Sequence, residues 1–374
     1  MTIRCSFLGA LWLLRAFAGG EPLPGMPAVI DPHNIYSETA ADKFSPIAEH
    51  YPALIYVPNT KSNTVDVIDP KTYKIVNHFS VGREPQHVTP SWDLKTLWVL
   101  SDHGDSIRRI DPATGKEHET IHVEDPYNMY YSPDGKYAIV VAERKKRLDF
   151  HDPHHMAKVL KQLPVPECPG VDHMDFSADG RYLIASCEFG GKVVKVDVEE
   201  QKVLGYLELK EHAMPQDVKV SPDGKVFYIA DMISDGVWMV DGDAFKKIGF
   251  IETGIGAHGL YPSRDAKLMY ISNRGHQPNE KRAPGEGSIS VLDFATRKVI
   301  KKWVLPGRAS PDMGNVSADG KVFWLSGRYD REVYAIDTGD GHLIKRIPVG
   351  IGPHGLCVYP QPGRYSLGHT GNMR

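Results

Sequence analysis

One turn signal returns along this chain at a nearly constant distance. Asp93, Asp134, Asp179, Asp223, Asp265 and Asp319 each sit two residues after a serine, with Gln361 in the seventh place, at intervals of 41, 45, 44, 42, 54 and 42 residues. A second ladder marks the end of each third strand: Asp69, Asp111, Asp152, Asp197, Asp241, Asp293 and Asp337. Two independent ladders of seven describe seven copies of one unit. The clearest copy runs from Met214 to Gly254 and holds four short alternating runs: Asp217–Val220, Val226–Ala230, Gly236–Val240 and Lys247–Ile251. Alternation of period two with β-branched and aromatic residues reads as half-buried strands. Ser221-Pro222-Asp223-Gly224 and Asp241-Gly242-Asp243 supply the turns, because proline presets φ and glycine accepts φ > 0. About 40 residues in four antiparallel strands is the size of one propeller blade.

The spacing therefore predicts an all-β fold, a seven-bladed β-propeller in which each blade is a four-stranded antiparallel sheet. The first blade begins with only three strands, Leu54–Val57, Thr64–Ile68 and Ile75–Phe79. Its innermost strand is expected from Gly355–Tyr359, so that the two ends of the repeat region pair and leave no open sheet edge. Residues 52–363 form the propeller in this reading.

The flanks are different in kind. Met1 to Ala18 has one basic residue before an apolar run and ends in Ala16-Phe17-Ala18, the pattern of an export signal. The run is too short to span a bilayer. Residues 1–18 are thus expected to be a signal peptide, 19–51 an arm or linker rich in turn formers, and 364–374 a tail whose path the spacing leaves open. The expected location is periplasmic or extracellular, without a membrane span, as a monomer. Between Asn273 and Ser288 the repeat is longer by roughly ten residues with Pro278 and Pro284, which suits either a surface insertion or a lid. A net charge of −3 with 24% charged residues gives no general attraction to nucleic acid.

Tyr56-Val57-Pro58-Asn59, Thr64-Val65-Asp66-Val67-Ile68-Asp69 and Val81-Gly82 are similar to the YVTN-type (YncE-like) propeller repeat, as are Gly352-Pro353-His354-Gly355-Leu356 and Ser221-Pro222-Asp223-Gly224-Lys225. The resemblance covers roughly Leu54 to Pro362. It implies the propeller fold and, for most members, export. Wider relatives of that family include haem d1-binding (cytochrome cd1-like), lactonase-like and amine dehydrogenase propellers. None of their catalytic motifs is matched closely enough to carry residues across.

The candidate chemistry lies where each chain segment enters its innermost strand. Those positions are Gln86-His87, Tyr127-Asn128, Asp172-His173, Gln216-Asp217, His258-Gly259, Asp312-Met313 and His354-Gly355, seven and six residues before each turn aspartate or its equivalent. A tight turn needs only small or polar residues there, yet four histidines and three aspartates converge on one axis. His87, His173, His258 and His354 are the candidate metal ligands, since neutral imidazole suits Zn, Cu and Fe. Asp172, Asp217 and Asp312 are candidate ligand-binding groups, with His103, Glu188, Arg144, Arg274 and Arg328 from the loops between second and third strands. The expected cofactor is a transition metal (Cu, Fe or Zn) or a non-covalent tetrapyrrole. Hydrogen-bonded structural histidines account for the same pattern without a ligand.

Cys168 and Cys187 flank the start of one inner strand and the end of its neighbour, which suits a disulfide or a thiolate ligand. Cys357 lies mid-strand and reads as packing. The chain has no CxxCH, GxSxG or Walker A, and no GxGxxG followed by a helix, so covalent haem and the standard hydrolase, NTPase and dinucleotide readings lack support. His151-Asp152-Pro153-His154-His155 falls in a turn on the opposite face and reads as surface. Three functions follow as candidates: a redox or cofactor-handling protein, a metal-assisted hydrolase or lyase, and a non-catalytic module for a protein partner or glycan.

Overall fold

The computed structural model describes residues 22–275 and 286–374. The expected signal peptide and most of the long insertion lie outside the described residues. Seven four-stranded antiparallel sheets form a ring. Their innermost strands are Pro85–Pro90, Pro126–Tyr131, Val171–Phe176, Pro215–Val220, Ala257–Pro262, Pro311–Val316 and Cys357–Tyr359. The first six are buried along almost their whole length, whereas outermost strands such as Lys74–Ser80 and Lys298–Val304 are mostly exposed. The gradient follows from the ring itself, because only inner strands are covered on both faces by neighbouring blades.

The turn aspartates hold the first two strands of each blade in register. Asp134 Oδ1 accepts from Ser132 Oγ at 2.6 Å and from the Lys136 N–H at 3.2 Å. The same pair of contacts recurs at Asp93, Asp179, Asp265 and Asp319. The second ladder makes turns in which the carboxylate accepts a backbone N–H further on, as Asp69 does from Lys71 at 2.9 Å. Apolar side chains then fill the space between blades: Tyr182, Ile184 and Val193 of one pack on Val218, Phe227 and Ile229 of the next. Losing a ring as large as fully buried Phe227 to alanine costs about 3–5 kcal/mol. Polar links cross the same joints. Asp175, Asp217 and Asn315 each accept a backbone N–H from the next inner strand, from Val220, Leu260 and Val358 respectively, at 2.9–3.0 Å.

The first blade closes as the repeat implies, with Leu54 opposite Tyr359, Ile55 opposite Val358 and Tyr56 opposite Cys357. The closing strand is two residues shorter than expected. Gly355 leaves it and instead bridges His87 of the second blade in parallel. Only glycine fits there, since a Cβ would run into the His87 ring.

Both flanking segments seal the face that carries the Ser-x-Asp turns. The arm crosses it by backbone bonds from Leu23 to Asp179, Ile35 to Pro222 and Asp42 to Ala318 at 2.7–3.0 Å. The tail folds back on itself, with Ser366 bridging Met373, and climbs into the central channel along the third blade's inner strand. Tyr131 N–H donates to Leu367 O at 3.0 Å, and His369 N–H to Met129 O at 2.8 Å. Where the turn ladder loses its seventh aspartate, Gln361 holds the tail instead, its Nε2 donating to Thr370 O at 3.1 Å. Arg374 is anchored on Asp175 Oδ1 at 2.7 Å.

Candidate metal centre

Every first-to-second strand pairing in the other six blades carries an irregularity at its start, on the residues that the repeat spacing singles out. Val171 faces Cys187 and Met174 faces Ala185, so Asp172 and His173 together oppose Ser186. Equivalent extra residues fall at Gln216-Asp217, His258-Gly259, Asp312-Met313, next to His87 and next to Asn128. A bulge of this kind re-aims side chains that strict alternation would send into the sheet. It also frees a backbone donor, and a serine on the second strand takes it: His173 N–H donates to Ser186 Oγ at 3.0 Å, and Gly259 N–H to Ser272 Oγ at 2.9 Å.

The bulges gather His87, His173 and His258 at one end of the channel, the segment before the closing strand brings His354 beside them, and the tail adds His369. All five are at most 2% exposed. His369 sits in the pocket with ring centroids 5.2 Å from His87 and 4.8 Å from His173; the His87 and His173 rings are 5.4 Å apart. Candidate donor nitrogens of these three lie within 4.8 Å of one another. The Nε2 atom of each is buried without a hydrogen-bond partner. Their other nitrogens are held. His87 Nδ1 lies 2.9 Å from Tyr127 O, and the Asn128 side-chain amide stands 3.0 Å from Nδ1 of both His173 and His369. Second contacts of this type orient ligating imidazoles and fix their tautomer. Asn128 Oδ1 accepts the Met129 N–H at 2.8 Å, so its nitrogen faces both rings and holds them as Nε2–H donors; ligation through those Nε2 atoms needs the amide turned the other way.

His258 and His354 are engaged elsewhere. Asp312 is their hub: Oδ2 is 2.6 Å from His354 Nδ1, and Oδ1 is 3.1 Å from His258 Nδ1. Arg274 clamps the same carboxylate at 2.6 and 2.7 Å and donates to His258 Nε2 at 2.8 Å. The sequence set of four ligand candidates therefore divides, two on a carboxylate–guanidinium pair and two beside His369.

Electrostatics follow from burial. Desolvation pushes the His87 pKa down to about 4 and holds His173, His258, His354 and His369 well below the usual imidazole range, so all five rings are neutral. Burial opposes the charge on Asp312, but Arg274, His258 and Arg328 outweigh it and keep the carboxyl below its ordinary value. Asp172 is the reverse case. Burial, then Glu188 and Glu143, push it well above the carboxylate range, and its Oδ1 lies 3.1 Å from His173 Nε2 without the geometry of a hydrogen bond. Asp217 is raised to about 6 by burial, yet its oxygens already serve Val218 and Leu260 N–H groups, so it is a structural group.

The loop residues separate by distance from the axis. Arg144 is spent on Asp125 at 2.7 Å, with Asp102 and Asp105 at 3.4 Å, and His103 pairs with Glu84 at 2.7 Å; both lie on the rim. Glu188 is half-buried, its carboxyl raised by desolvation against Gln216, Arg274 and Arg328. Cys168 and Cys187 are joined by a disulfide that ties the loop before the fourth blade to the end of its second strand. Cys357 is a buried free thiol. The His151 reading needs correction: the ring is 2% exposed, with Nδ1 2.7 Å from Met156 O. It ends a third strand and points inward, while His154 and His155 are exposed and line a groove between the second and third blades with Trp92 and Trp98.

A seven-bladed propeller with a buried polyhistidine pocket at one end of its channel is the class that fold and site define. The YNCE-like beta-propeller family matches residues 25–363, and the chain belongs to that family. Among curated proteins it is similar to the hydrazine synthase subunit beta of Kuenenia stuttgartiensis, 29% identical over 245 residues. That match covers 56% of this chain and 56% of the relative, so the chain spans little more than half of that protein's length. Among solved structures, Dihydro-heme d1 dehydrogenase NirN in complex with DHE aligns with a TM-score of 0.61 at 17% identity, over 90% of this chain and 78% of that one. A putative 6-phosphogluconolactonase from Bacteroides uniformis gives 0.65 at 17%, over 82% of this chain and 99% of that one. At these identities the structural likeness shows the fold alone.

Proposed function

We propose that this propeller binds a single transition-metal ion between His87, His173 and His369, in a redox or cofactor-handling role. One observation carries the reading: three neutral, buried imidazoles bring donor nitrogens within 4.8 Å of one another, the Nε2 of each has no hydrogen-bond partner, and buried polar atoms left unanswered are costly. Imidazole-only ligation suits Cu, Zn or Fe rather than Ca or Mg. Three protein ligands leave a position open for an exogenous group, as catalytic rather than structural metal sites do. A bound ion supplies Lewis acidity or, for Cu and Fe, one-electron chemistry. The protein holds the rings through Tyr127 O and Asn128 and keeps water out by arm and tail.

The tetrapyrrole alternative draws support from the NirN neighbour, whose structure contains DHE. Ring centroids only 4.8–5.4 Å apart favour a lone ion instead, because a macrocycle needs a flat slot between its axial groups. An exported protein fits the same picture: the N-terminal signal pattern and the Cys168–Cys187 disulfide both suit an oxidising compartment. The test is metal analysis of protein purified without chelator, paired with its visible and paramagnetic spectra. A stoichiometric first-row transition metal, lost in His173→Ala and His369→Ala, is expected. Metal-free protein that takes up none of Cu, Zn or Fe on reconstitution sinks the reading.

A further inference from the structure

Arg328 stands apart from the other cations at this pocket. Arg274 is fully used, on Asp312 and His258. Arg144 is used on rim carboxylates. Arg328 follows the second strand of the seventh blade, its backbone N–H donating to Ser310 O at 3.0 Å, yet its Nη1 is buried with no hydrogen-bond partner. Gly327 pairs with Pro311, so Arg328 leaves its strand beside Asp312, whose carboxylate holds His354 at 2.6 Å. A buried donor on a permanent cation, left unmade, costs more than an ordinary missing hydrogen bond. The histidine rings nearby are neutral, Asp312 is already bound on both oxygens, and no carboxylate among the described residues, Glu188 included, hydrogen-bonds Arg328 Nη1.

From this we infer that the pocket takes a small monoanion with two acceptor oxygens, a carboxylate or comparable oxyanion. One oxygen faces the three Nε2 atoms and the other accepts from Arg328. The contact to Arg328 is a single charge-assisted hydrogen bond. With ring centroids 4.8–5.4 Å apart, the ligand's charged end enters first and any larger body stays toward the mouth. This inference rests on the metal reading for the partner of the first oxygen. It also stands without metal, because His173 and His369 offer Nε2–H donors when Asn128 presents its nitrogen, while His87, whose Nδ1–H donates to Tyr127 O, does not.

The test is calorimetric titration of sodium formate into copper-reconstituted protein and into metal-free protein at one ionic strength. Formate is expected to bind, and Arg328→Gln to weaken it by at least about tenfold with copper content unchanged. Arg328→Lys restores part of the loss, and Arg109→Gln, a cation paired with Glu119 on another strand, has no effect. Formate binding that depends on Arg328 in protein that cannot hold copper removes the metal reading and keeps the anion site. Copper uptake with no formate binding, or with binding indifferent to Arg328→Gln, overturns the inference and leaves the metal reading standing.

Discussion

His173 and His258 belong to the same bulge in two blades, each supported by a serine on the adjacent strand, and their surroundings send them different ways. Beside His258 the loop supplies Arg274, which reaches across to Asp312 of the next blade and locks carboxylate, guanidinium and imidazole together. Beside His173, among the described residues, no such cation pairs with Asp172, and the nearest rings are other histidines. A histidine next to a strong ion pair is spent on structure. One surrounded by neutral rings keeps a nitrogen free for a ligand. The repeat delivers both kinds to one pocket, and the charge in the neighbouring loop decides between them.

The largest effect expected from breaking that contrast is at Asp312. Asp312→Ala leaves Arg274 buried without its carboxylate and removes the anchor of two rings, at a cost of about 3–5 kcal/mol in urea unfolding. A change within error would mean that the hub is not structural.

All five buried rings carry acid sensitivity, His87 among them. His87 has its pKa pushed down to about 4 by burial, against an unfolded value near 6.5. Between those values the unfolded chain binds a proton that the folded ring refuses, so stability falls as pH drops from about 6.5 toward 4. This one group contributes up to about 3 kcal/mol to the loss, and ligation deepens it because metal competes with protons. In metal-free protein, His87→Gln should flatten the profile of stability against pH over that window; an unchanged slope contradicts the assignment.

Metal occupancy separates the two groups directly. His173→Ala and His369→Ala should each lower metal affinity by at least about tenfold, whereas His258→Ala mainly lowers stability. Equal metal loss in all three variants would merge the groups into one site. The finest test uses the supporting serines. Ser186→Ala and Ser272→Ala each strand a backbone N–H, at about 1 kcal/mol apiece. Only Ser186→Ala should also weaken metal binding, since it loosens the bulge that aims His173.

Much of this architecture is readable from local chemistry. Ser-x-Asp turns and the second aspartate ladder act within two to five residues, so their spacing alone reports seven blades and the strand order. The bulge positions are equally local, which is why His87, His173, His258, His354, Asp172 and Asp312 could be set around one axis from sequence. Gly355 was harder, because its early departure from the closing strand answers to the His87 ring on another blade.

What the sequence by itself determined is thus the ring and the side chains that face its axis, because a closed repeat leaves inner-strand residues nowhere else to point. What only the tertiary structure decided is how they are used. Segment 364–374 has no period, and His369 reaches Asn128 across 241 residues of chain through contacts with Met129, Gln361 and Asn315 that belong to separate parts of the ring. The split at Asp312 depends on Arg274 being 2.6 Å away rather than on any motif. Both are long-range placements of charge and lone pairs, which follow from the assembled channel and leave no trace in local spacing.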